Sequence, residues 1–222
     1  MKPLKAVLLD VDGTLVDSND AHAQAWQVVF ERNGFDASFE RVRRLIGEGG
    51  DKLVPEITGL EVASPEGKRL TTERRALFQH VYLPELRAFP RSDALLERLH
   101  AQGLTLVVAS SATDDELRPL LELCGALPFI AQQTSSDDAK RSKPDPDIVQ
   151  VALHKARCGP SEAILLGDTP YDVEAAAKAG VRAVAVRSGG HPDAALARAV
   201  AIYDDAADLL AHFESSPFSN PP

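Results

Sequence analysis

The 222-residue chain has little cysteine, fewer basic than acidic residues, and no long apolar segment. Its two cysteines, Cys124 and Cys158, are isolated and lack metal-ligand spacing, so we expect buried or free thiols in a reducing cytoplasm. The formal net charge of −9 argues against a nucleic acid or a membrane surface as the main partner. No apolar run could span a bilayer, and residues 1–3 lack the apolar region of a secretory signal.

What the chain does contain is a pair of aspartates directly after a short apolar run. Residues 6–9 are all apolar, and Asp10 and Asp12 follow them, ahead of a Gly-Thr turn. Such a run predicts a strand buried on both faces, and ligand sites of parallel sheets lie just beyond the carboxyl ends of their strands. Two adjacent carboxylates resist joint ionisation unless a cation shares them, so the pair favours a hard divalent metal. The alternative is a plain turn, because Asp and Gly are common turn residues.

Three further segments carry polar residues, either after an apolar run or in a proline-flanked loop before a helix. In chain order they contribute Ser110 with Ser111, then Lys143, then Asp168 with Asp172. This set, in this order, resembles the haloacid dehalogenase superfamily of phosphotransferases. The resemblance extends from about residue 4 to about residue 213.

The resemblance implies the chemistry of the carboxylates. Asp10 would be the nucleophile that forms an aspartyl phosphate, and Asp12 the general acid and base. Asp10, the backbone carbonyl of Asp12, and Asp168 would hold Mg²⁺. Asp172 would also help to hold the metal, directly or through water, but it follows Thr169 by three residues and could instead complete a capping box.

The same resemblance implies a phosphate cradle. Thr14, Ser110 and Ser111 would surround the phosphoryl oxygens, and Lys143 would neutralise them and hold Asp10 in position. For Ser110 the alternative is a helix cap, and for Lys143 it is a solvated surface lysine. The proline-flanked setting of Lys143 matches the family pattern, which its basic neighbours do not.

Local patterns also predict where several helices begin. Ser92 is expected to cap one helix, and Thr113 with Glu116 forms the pattern of a capping box. Thr169 followed by Pro170 predicts a third start.

Strands that alternate with helices of about ten residues predict an α/β fold, a doubly wound parallel sheet of the Rossmann-like kind. A stretch of some seventy residues after the first strand shows only helical patterns and a glycine-rich bend, and it is too long for a plain loop. It predicts an inserted α-helical module, which the resemblance identifies as a cap over the active site. We expect a core at residues 1–17 and 87–214, a cap at 18–86, hinges at 16–18 and 84–90, and a disordered tail, rich in Ser and Pro, at 215–222.

Substrate selection is expected to belong to the cap. The candidate residues are His22, Arg44, Gly49 and Lys52. His22 could be a hinge residue or a partner of Asp12, or simply a polar residue on a helix. The cap arginines could equally form a solvated helix face.

The expected activity is Mg²⁺-dependent hydrolysis of a small phosphate monoester, phosphoglycolate-like or sugar-phosphate-like. One alternative is a sugar-phosphate mutase of the β-phosphoglucomutase type, although Thr113 and Asp114 stand where mutases commonly carry Lys and Asn for a second phosphate. Another is a catalytically silent phosphate-binding regulator. We expect a cytoplasmic monomer or homodimer whose partner is a small molecule.

Overall fold

Six short parallel strands form one sheet in the computed structural model, which describes residues 3–219. The strands are β1 (Ala6–Leu9), β2 (Thr105–Ala109), β3 (Ile130–Thr134), β4 (Ala163–Gly167), β5 (Arg182–Val186) and β6 (Ala201–Tyr203). Their order is β3-β2-β1-β4-β5-β6, and every neighbouring pair is parallel. The chain therefore builds outwards on one side of β1 and then returns to build on the other. This switch point is where open α/β sheets bind ligands.

Ten helices accompany these strands within residues 3–219. The first four follow β1 directly: α1 (Asn19–Arg32), α2 (Phe39–Leu45), α3 (Gly50–Thr58) and α4 (Pro65–Leu77), the last continued by a π-helical turn at Phe78–Tyr82. The others are α5 (Ser92–Ala101), α6 (Asp114–Leu123), α7 (Asp147–Ala156), α8 (Pro170–Lys178), α9 (Asp193–Leu196) and α10 (Ala206–Ala211). None of them combines the length and apolarity needed to cross a membrane.

Helices cover both faces of the sheet because side chains alternate along each strand. Val7 and Leu9 belong to a buried cluster that includes residues of α5, α6 and α10. Ala6 and Leu8 belong to a second cluster, with residues of α7, α8 and α9. The expected doubly wound parallel sheet is confirmed.

Helices α1 to α4 form a third apolar cluster of their own, which includes Trp26, Phe30 and Leu70. The two chain segments that lead into and out of these helices pair with each other. The amide of Asp17 donates to the carbonyl of Arg87 at 3.0 Å, and the amide of Phe89 donates to the carbonyl of Leu15 at 2.9 Å. The helical insertion is thus joined to the sheet domain through a short antiparallel pair of linkers.

One predicted helix cap and one predicted capping box do not form, although the helices begin where expected. The hydroxyl of Ser92 donates to the carbonyl of Leu15 at 3.0 Å, and Arg91 occupies the cap position. Thr113 is at the N-cap of α6, as expected, but its side chain makes no capping hydrogen bond, and the carboxylate of Glu116 pairs with Arg74 of α4 instead of completing the capping box. In both cases a contact with a distant part of the chain replaces the local one.

The predicted disorder of the tail is contradicted over the part that the structure describes. The Phe218 side chain is fully buried in the cluster that contains Val7, and Ser216 donates to the carbonyl of Phe213 at 2.6 Å. One aromatic anchor outweighs the Ser- and Pro-rich composition, because burying a phenyl ring removes a large apolar area from water. Residues 220–222 of that prediction lie outside the described residues.

Candidate active site

The carboxyl edge of the sheet brings together residues from four segments. Asp10 follows β1, Ser110 follows β2 and Asp168 follows β4, so the three strands deliver their polar residues to the same edge. Lys143 comes from the loop before α7 and is 1% exposed. The chain order of these residues is therefore converted into one spatial cluster by the parallel pairing of the strands.

Lys143 sits between two acidic side chains. Its Nζ lies 2.6 Å from Asp10 Oδ1 and 2.7 Å from Asp172 Oδ1. Burial lowers the pKa of Lys143, but attraction to these two carboxylates outweighs burial, and the net pKa is raised. Burial raises the pKa of Asp10 to about 7, against the opposing effect of Lys143. A single buried ammonium thus orients the expected nucleophile without neutralising the whole cluster.

Asp168 adds a third carboxylate to the same cluster. Oxygen atoms of Asp10, Asp168 and Asp172 lie within 4.8 Å of one another, and all three residues are buried. Burial raises the pKa of Asp168 well above its usual range, and repulsion from Asp10 and Asp172 adds to the effect. Thr14 Oγ1 lies 3.2 Å from Asp10 Oδ2 and 3.1 Å from Asp168 Oδ1, so it bridges the two carboxylates.

This donor set fits a magnesium ion. The cluster contains three carboxylates and one ammonium, so it is short of positive charge. Its ligand atoms are hard oxygen donors, which Mg²⁺ prefers. The backbone is packed closely around Asp168: a Cβ on Gly189 would lie 1.9 Å from its Oδ2, and one on Gly13 would lie 2.2 Å away. Asn19 Nδ2 donates to the same oxygen at 2.8 Å. The Asp168 carboxylate is therefore held in one orientation.

Asp12 faces away from this cluster, toward α1 and α4. Its Oδ1 accepts from Ser18 Oγ at 2.5 Å and lies 2.8 Å from His22 Nε2. Burial alone would raise the pKa of Asp12. His22 and the Ser18 hydroxyl lower it by more than burial raises it, so the net pKa lies below the ordinary value. The structure therefore places the two aspartates of the pair in different environments, which suits different chemical roles.

A buried chain of contacts continues from His22. Arg74 Nη2 donates to His22 Nδ1, and Arg74 Nη1 lies 2.5 Å from Glu116 Oε1. Because a guanidinium can only donate, His22 carries its proton on Nε2, where it faces Asp12. The His22 ring also stacks on Phe78 with a centroid separation of 4.0 Å. The histidine tautomer is thus set from the cap side of the cleft.

Comparison with known proteins decides the family. Residues 7–186 match the model of the haloacid dehalogenase-like hydrolases. This chain belongs to that family. A phosphoglycolate phosphatase of Rhodospirillum rubrum is 33% identical over 215 residues, covering 92% of this chain and 89% of the relative. An N-acetylmuramic acid 6-phosphate phosphatase of Pseudomonas aeruginosa is 30% identical, covering 86% and 85%.

Solved structures agree with the fold of this haloacid dehalogenase-like hydrolase. A hydrolase from Pseudomonas syringae superposes with a TM-score of 0.86 at 27% identity, over 95% of this chain and 98% of the other. A β-phosphoglucomutase from Clostridium difficile gives 0.83 at 19% identity, over 97% of each chain, and supports the fold alone. The expected family and enzyme class, a hydrolase, are confirmed.

Asp172 makes the capping-box contact, one of the two alternatives that the sequence left open. Its Oδ2 accepts from the amide and the hydroxyl of Thr169, at 3.1 and 2.6 Å, and completes the capping box of α8. Its other oxygen faces Lys143. In this hydrolase, the residue therefore couples the start of α8 to the lysine that holds Asp10.

The two serines after β2 are placed differently. Ser110 is buried and lines the cleft beside Asp10, and its Oγ accepts from the amide of Ala112 at 3.0 Å. Ser111 also lines the cleft and lies 3.5 Å from the carbonyl of Gly47 in the bend between α2 and α3. Both residues line the cleft, and Ser110 also organises the turn into α6.

The predicted cap residues of this hydrolase divide into those at the cleft and those away from it. His22 and Gly49 line it, and the Gly49 amide donates to Ser142 Oγ at 3.0 Å. Lys52 pairs with Asp145 at 2.6 Å, so it links α3 to the loop of Lys143 rather than pointing into the cleft. Arg44 is exposed and donates to the carbonyl of Glu40 at 3.1 Å; the structure does not bring it to the site.

Three residues of the site were not found by sequence reasoning: Asn19, Arg74 and Glu116. Asn19 lies one residue after Ser18, in a segment where the titratable side chains are those of Asp17, Asp20 and His22. Arg74 and Glu116 are 42 residues apart and come from different helices. No spacing rule relates two such positions, so only the docking of α4 beside α6 identifies them.

Proposed function

We propose that this hydrolase is a Mg²⁺-dependent phosphatase that cleaves small phosphate monoesters through an aspartyl-phosphate intermediate. The observation that carries the proposal is the environment of Asp10. A buried carboxylate held by a single lysine, adjacent to two further acids and open to a cavity of about 380 Å³, is suited to attack on phosphorus. The relatives named as phosphatases support the same activity.

The proposed roles follow from the contacts of each side chain. Asp10 attacks the phosphoryl group, while Lys143, Ser110, Ser111 and Thr14 bind its oxygens. The residues that would hold Mg²⁺ are Asp10, Asp168, the backbone carbonyl of Asp12 and, through water or after rearrangement, Asp172. When bound, the ion would neutralise charge that develops on the phosphoryl oxygens.

Asp12 is proposed to move the protons. It protonates the leaving oxygen in the first step and accepts a proton from water in the second. The Nε2–H of His22 faces its carboxylate at 2.8 Å and favours the ionised form that the second step requires. His22 is thus proposed as the positioning partner of Asp12 rather than as a hinge.

We further propose that residues 18–86 act as a cap on the core formed by residues 1–17 and 87–214. Contacts cross the cleft on several sides, including Lys52 with Asp145 and Arg43 with the carbonyl of Gly189 at 2.6 Å. A site closed in this way leaves room for a small ester rather than a phosphoprotein.

The free cysteines support the expected cytoplasmic location.

A sugar-phosphate mutase is the second candidate, favoured by the contact between His22 and Asp12. The residue at position 114 argues against a mutase. Asp114 is exposed at the start of α6, and its amide donates to Asp137 at 3.1 Å. This position therefore presents negative charge where a second phosphate would need a cation. Hydrolysis remains the better supported of the two.

The test is phosphate release from a panel of small esters by the purified protein with Mg²⁺. We expect release that stops with a chelator and that Asp10→Asn abolishes, while Asp36→Asn, an exposed cap residue, retains wild-type rates. Normal turnover by folded Asp10→Asn would contradict the nucleophile assignment. Isomerisation of β-glucose 1-phosphate in the presence of its bisphosphate, without net phosphate release, would identify a mutase instead.

A further inference from the structure

The cleft extends beyond Asp10 and Asp12 into a region that would hold the leaving group of an ester. This region lies between α1 and α4 on the cap side and the start of α6 on the core side. Its walls include Trp26, Arg74, Arg75, Thr113 and Glu116. The charges in this region, more than its shape, determine which leaving groups it can accept.

Arg74 is buried, and both of its terminal guanidinium nitrogens have partners, whereas its Nε has none among the described residues. Its guanidinium pairs with Glu116, and the two side chains are 11% and 3% exposed. A second contact ties it to His22, and its Cζ lies 5.4 Å from the centre of the Trp26 ring and 5.0 Å from that of Phe78. Drawing Arg74 onto an anionic substrate would strip Glu116 of its partner, and an unpaired buried charge is strongly unfavourable.

The other cations at this end of the cleft are weak substitutes. Arg75 is 37% exposed at its side chain and lies 3.8 Å from Asp115, and Lys140 is exposed to solvent. Charges in contact with water attract a ligand only modestly and are screened by salt. Among the described residues that line this region, no buried cation lacks an acidic partner.

Carboxylates outnumber cations in the cleft as a whole. Besides Glu116, its lining residues include Asp137 from the loop after β3, and Glu48 and Asp51 from the bend between α2 and α3 and the start of α3. A carboxylate or a second phosphate on the substrate would meet like charge, whereas a hydroxyl could donate to these oxygens.

We propose that Glu116, by neutralising Arg74, makes this cleft select phosphate monoesters whose leaving group is an uncharged polyol and reject those that carry a carboxylate or a second phosphate. The inference rests on the phosphatase function proposed above and deepens it. Under this proposal, the substrate named for the 33%-identical relative, a phosphoglycolate phosphatase, is not the preferred substrate of this chain, because phosphoglycolate carries a carboxylate.

The experiment uses pairs of esters that differ only in CH₂OH against COO⁻. One pair is 2-hydroxyethyl phosphate and 2-phosphoglycolate; the other is sorbitol 6-phosphate and 6-phosphogluconate. For the wild-type protein with Mg²⁺ we expect kcat/KM to be higher for the alcohol of each pair by at least about tenfold. Equal values, or a preference for the acids, would overturn the selection while leaving the phosphatase function in place.

Three variants assign the effect to Glu116. In Glu116→Gln, Arg74 loses its charge partner, and we expect the preference for the alcohols to shrink by at least about tenfold, mainly through faster turnover of the acids. Glu116→Asp keeps the charge and should keep the preference. Glu122→Gln, on the exposed side of α6 and paired with Arg118, should leave it unchanged.

The outcomes separate the two proposals. An unchanged preference in folded Glu116→Gln would show that another residue sets the selection, which contradicts the assignment. If Glu116→Gln does not fold, the wild-type ratios and Glu116→Asp still decide: loss of the preference in the charge-retaining variant would contradict the proposal. Absence of turnover on all four esters by the wild-type protein would overturn the phosphatase function and this inference together.

Discussion

Lys143 and Asp172 show how one side chain can serve structure and chemistry together. The Lys143 ammonium bridges Asp10 and Asp172, while Asp172 also caps α8 through Thr169. Both oxygens of Asp172 thus have protein partners, and one of these partners is the cationic Lys143. Asp168 has no such lysine contact and is oriented by Thr14 and Asn19 instead.

Substitution at these two acids should therefore separate metal binding from positioning. In Asp172→Asn the amide oxygen can still accept from Thr169, but the ion pair with Lys143 is lost, and we expect kcat to fall roughly ten- to a hundredfold. The Mg²⁺ concentration for half-maximal activity should rise less than in Asp168→Asn. Titrating Mg²⁺ against activity in both variants measures this. A larger rise in Asp172→Asn would make Asp172 the stronger metal ligand.

At the scale of elements, the bend between α2 and α3 is in direct contact with residues of the active site. Gly47 has a φ of 108° and approaches Thr169 so closely that a Cβ would lie 2.6 Å from its Cγ2. Gly49, two residues on, meets Ser142 next to Lys143. Glycine is needed at Gly47 for both its backbone conformation and its close approach. The bend can therefore transmit the position of the cap to the residues that we propose bind the metal and the phosphate.

Gly47→Ala should accordingly impair turnover, because it would push the bend away from Thr169. We expect kcat/KM to fall roughly ten- to a hundredfold, the cost of a displacement near one ångström in a site of this kind. Gly59→Ala is the control for a left-handed glycine without that contact: at its φ of 72° a side chain costs roughly 1 kcal/mol, and no atom of the described residues lies within 4 Å of the added Cβ.

Kinetics and thermal unfolding of both variants make the comparison. An equal loss of activity in the two would mean that backbone strain, and not contact with Thr169, is responsible.

For the whole molecule, the buried acids make stability depend on pH in an unusual direction. Asp10 has an ordinary pKa of 3.8 when unfolded but about 7 in the folded, metal-free protein. Between these values the folded state binds more protons than the unfolded state. The free energy of unfolding contributed by Asp10 therefore falls as pH rises through this window, by at most about 1.4 kcal/mol per pH unit.

This predicts that Mg²⁺ stabilises the protein more at higher pH. Urea unfolding with a chelator and with excess Mg²⁺, at about pH 5 and about pH 8, should show the larger metal effect at the higher pH, because the ion favours the ionised carboxylates. Asp10→Asn should reduce the pH dependence of the metal-free protein. A metal effect that is the same at both pH values would argue against a metal site built on Asp10.

The parts of this protein that were predictable share one property. Asp10, Ser110 and Asp168 follow apolar runs of four to six residues, and a run of that kind identifies a buried strand together with its carboxyl end. Parallel pairing then forces these ends to meet. The helices that start at Ser92, Asp114 and Pro170 were predictable in position for a similar reason, since capping residues act within one turn.

The partners of individual side chains were not predictable in the same way. Ser92 hydrogen-bonds to the carbonyl of Leu15, and Glu116 pairs with Arg74. Phe218 packs into the apolar cluster that contains Val7. Each of these contacts joins residues dozens of positions apart or more, and each replaces a local alternative that the sequence pattern allowed. Their formation depends on how the cap and the tail dock, which is decided by buried area and charge pairing summed over many residues.

The amino-acid sequence alone therefore determined the family resemblance, the parallel α/β fold and the order of the residues at its catalytic edge, because those properties depend on short-range periodicity and on strand ends. Only the tertiary structure decided that Asp12 faces His22, that Asp172 serves both α8 and Lys143, and that Glu116 neutralises Arg74. Those choices set the charge of the cleft, and they arise from the packing of one helical insertion onto the sheet domain.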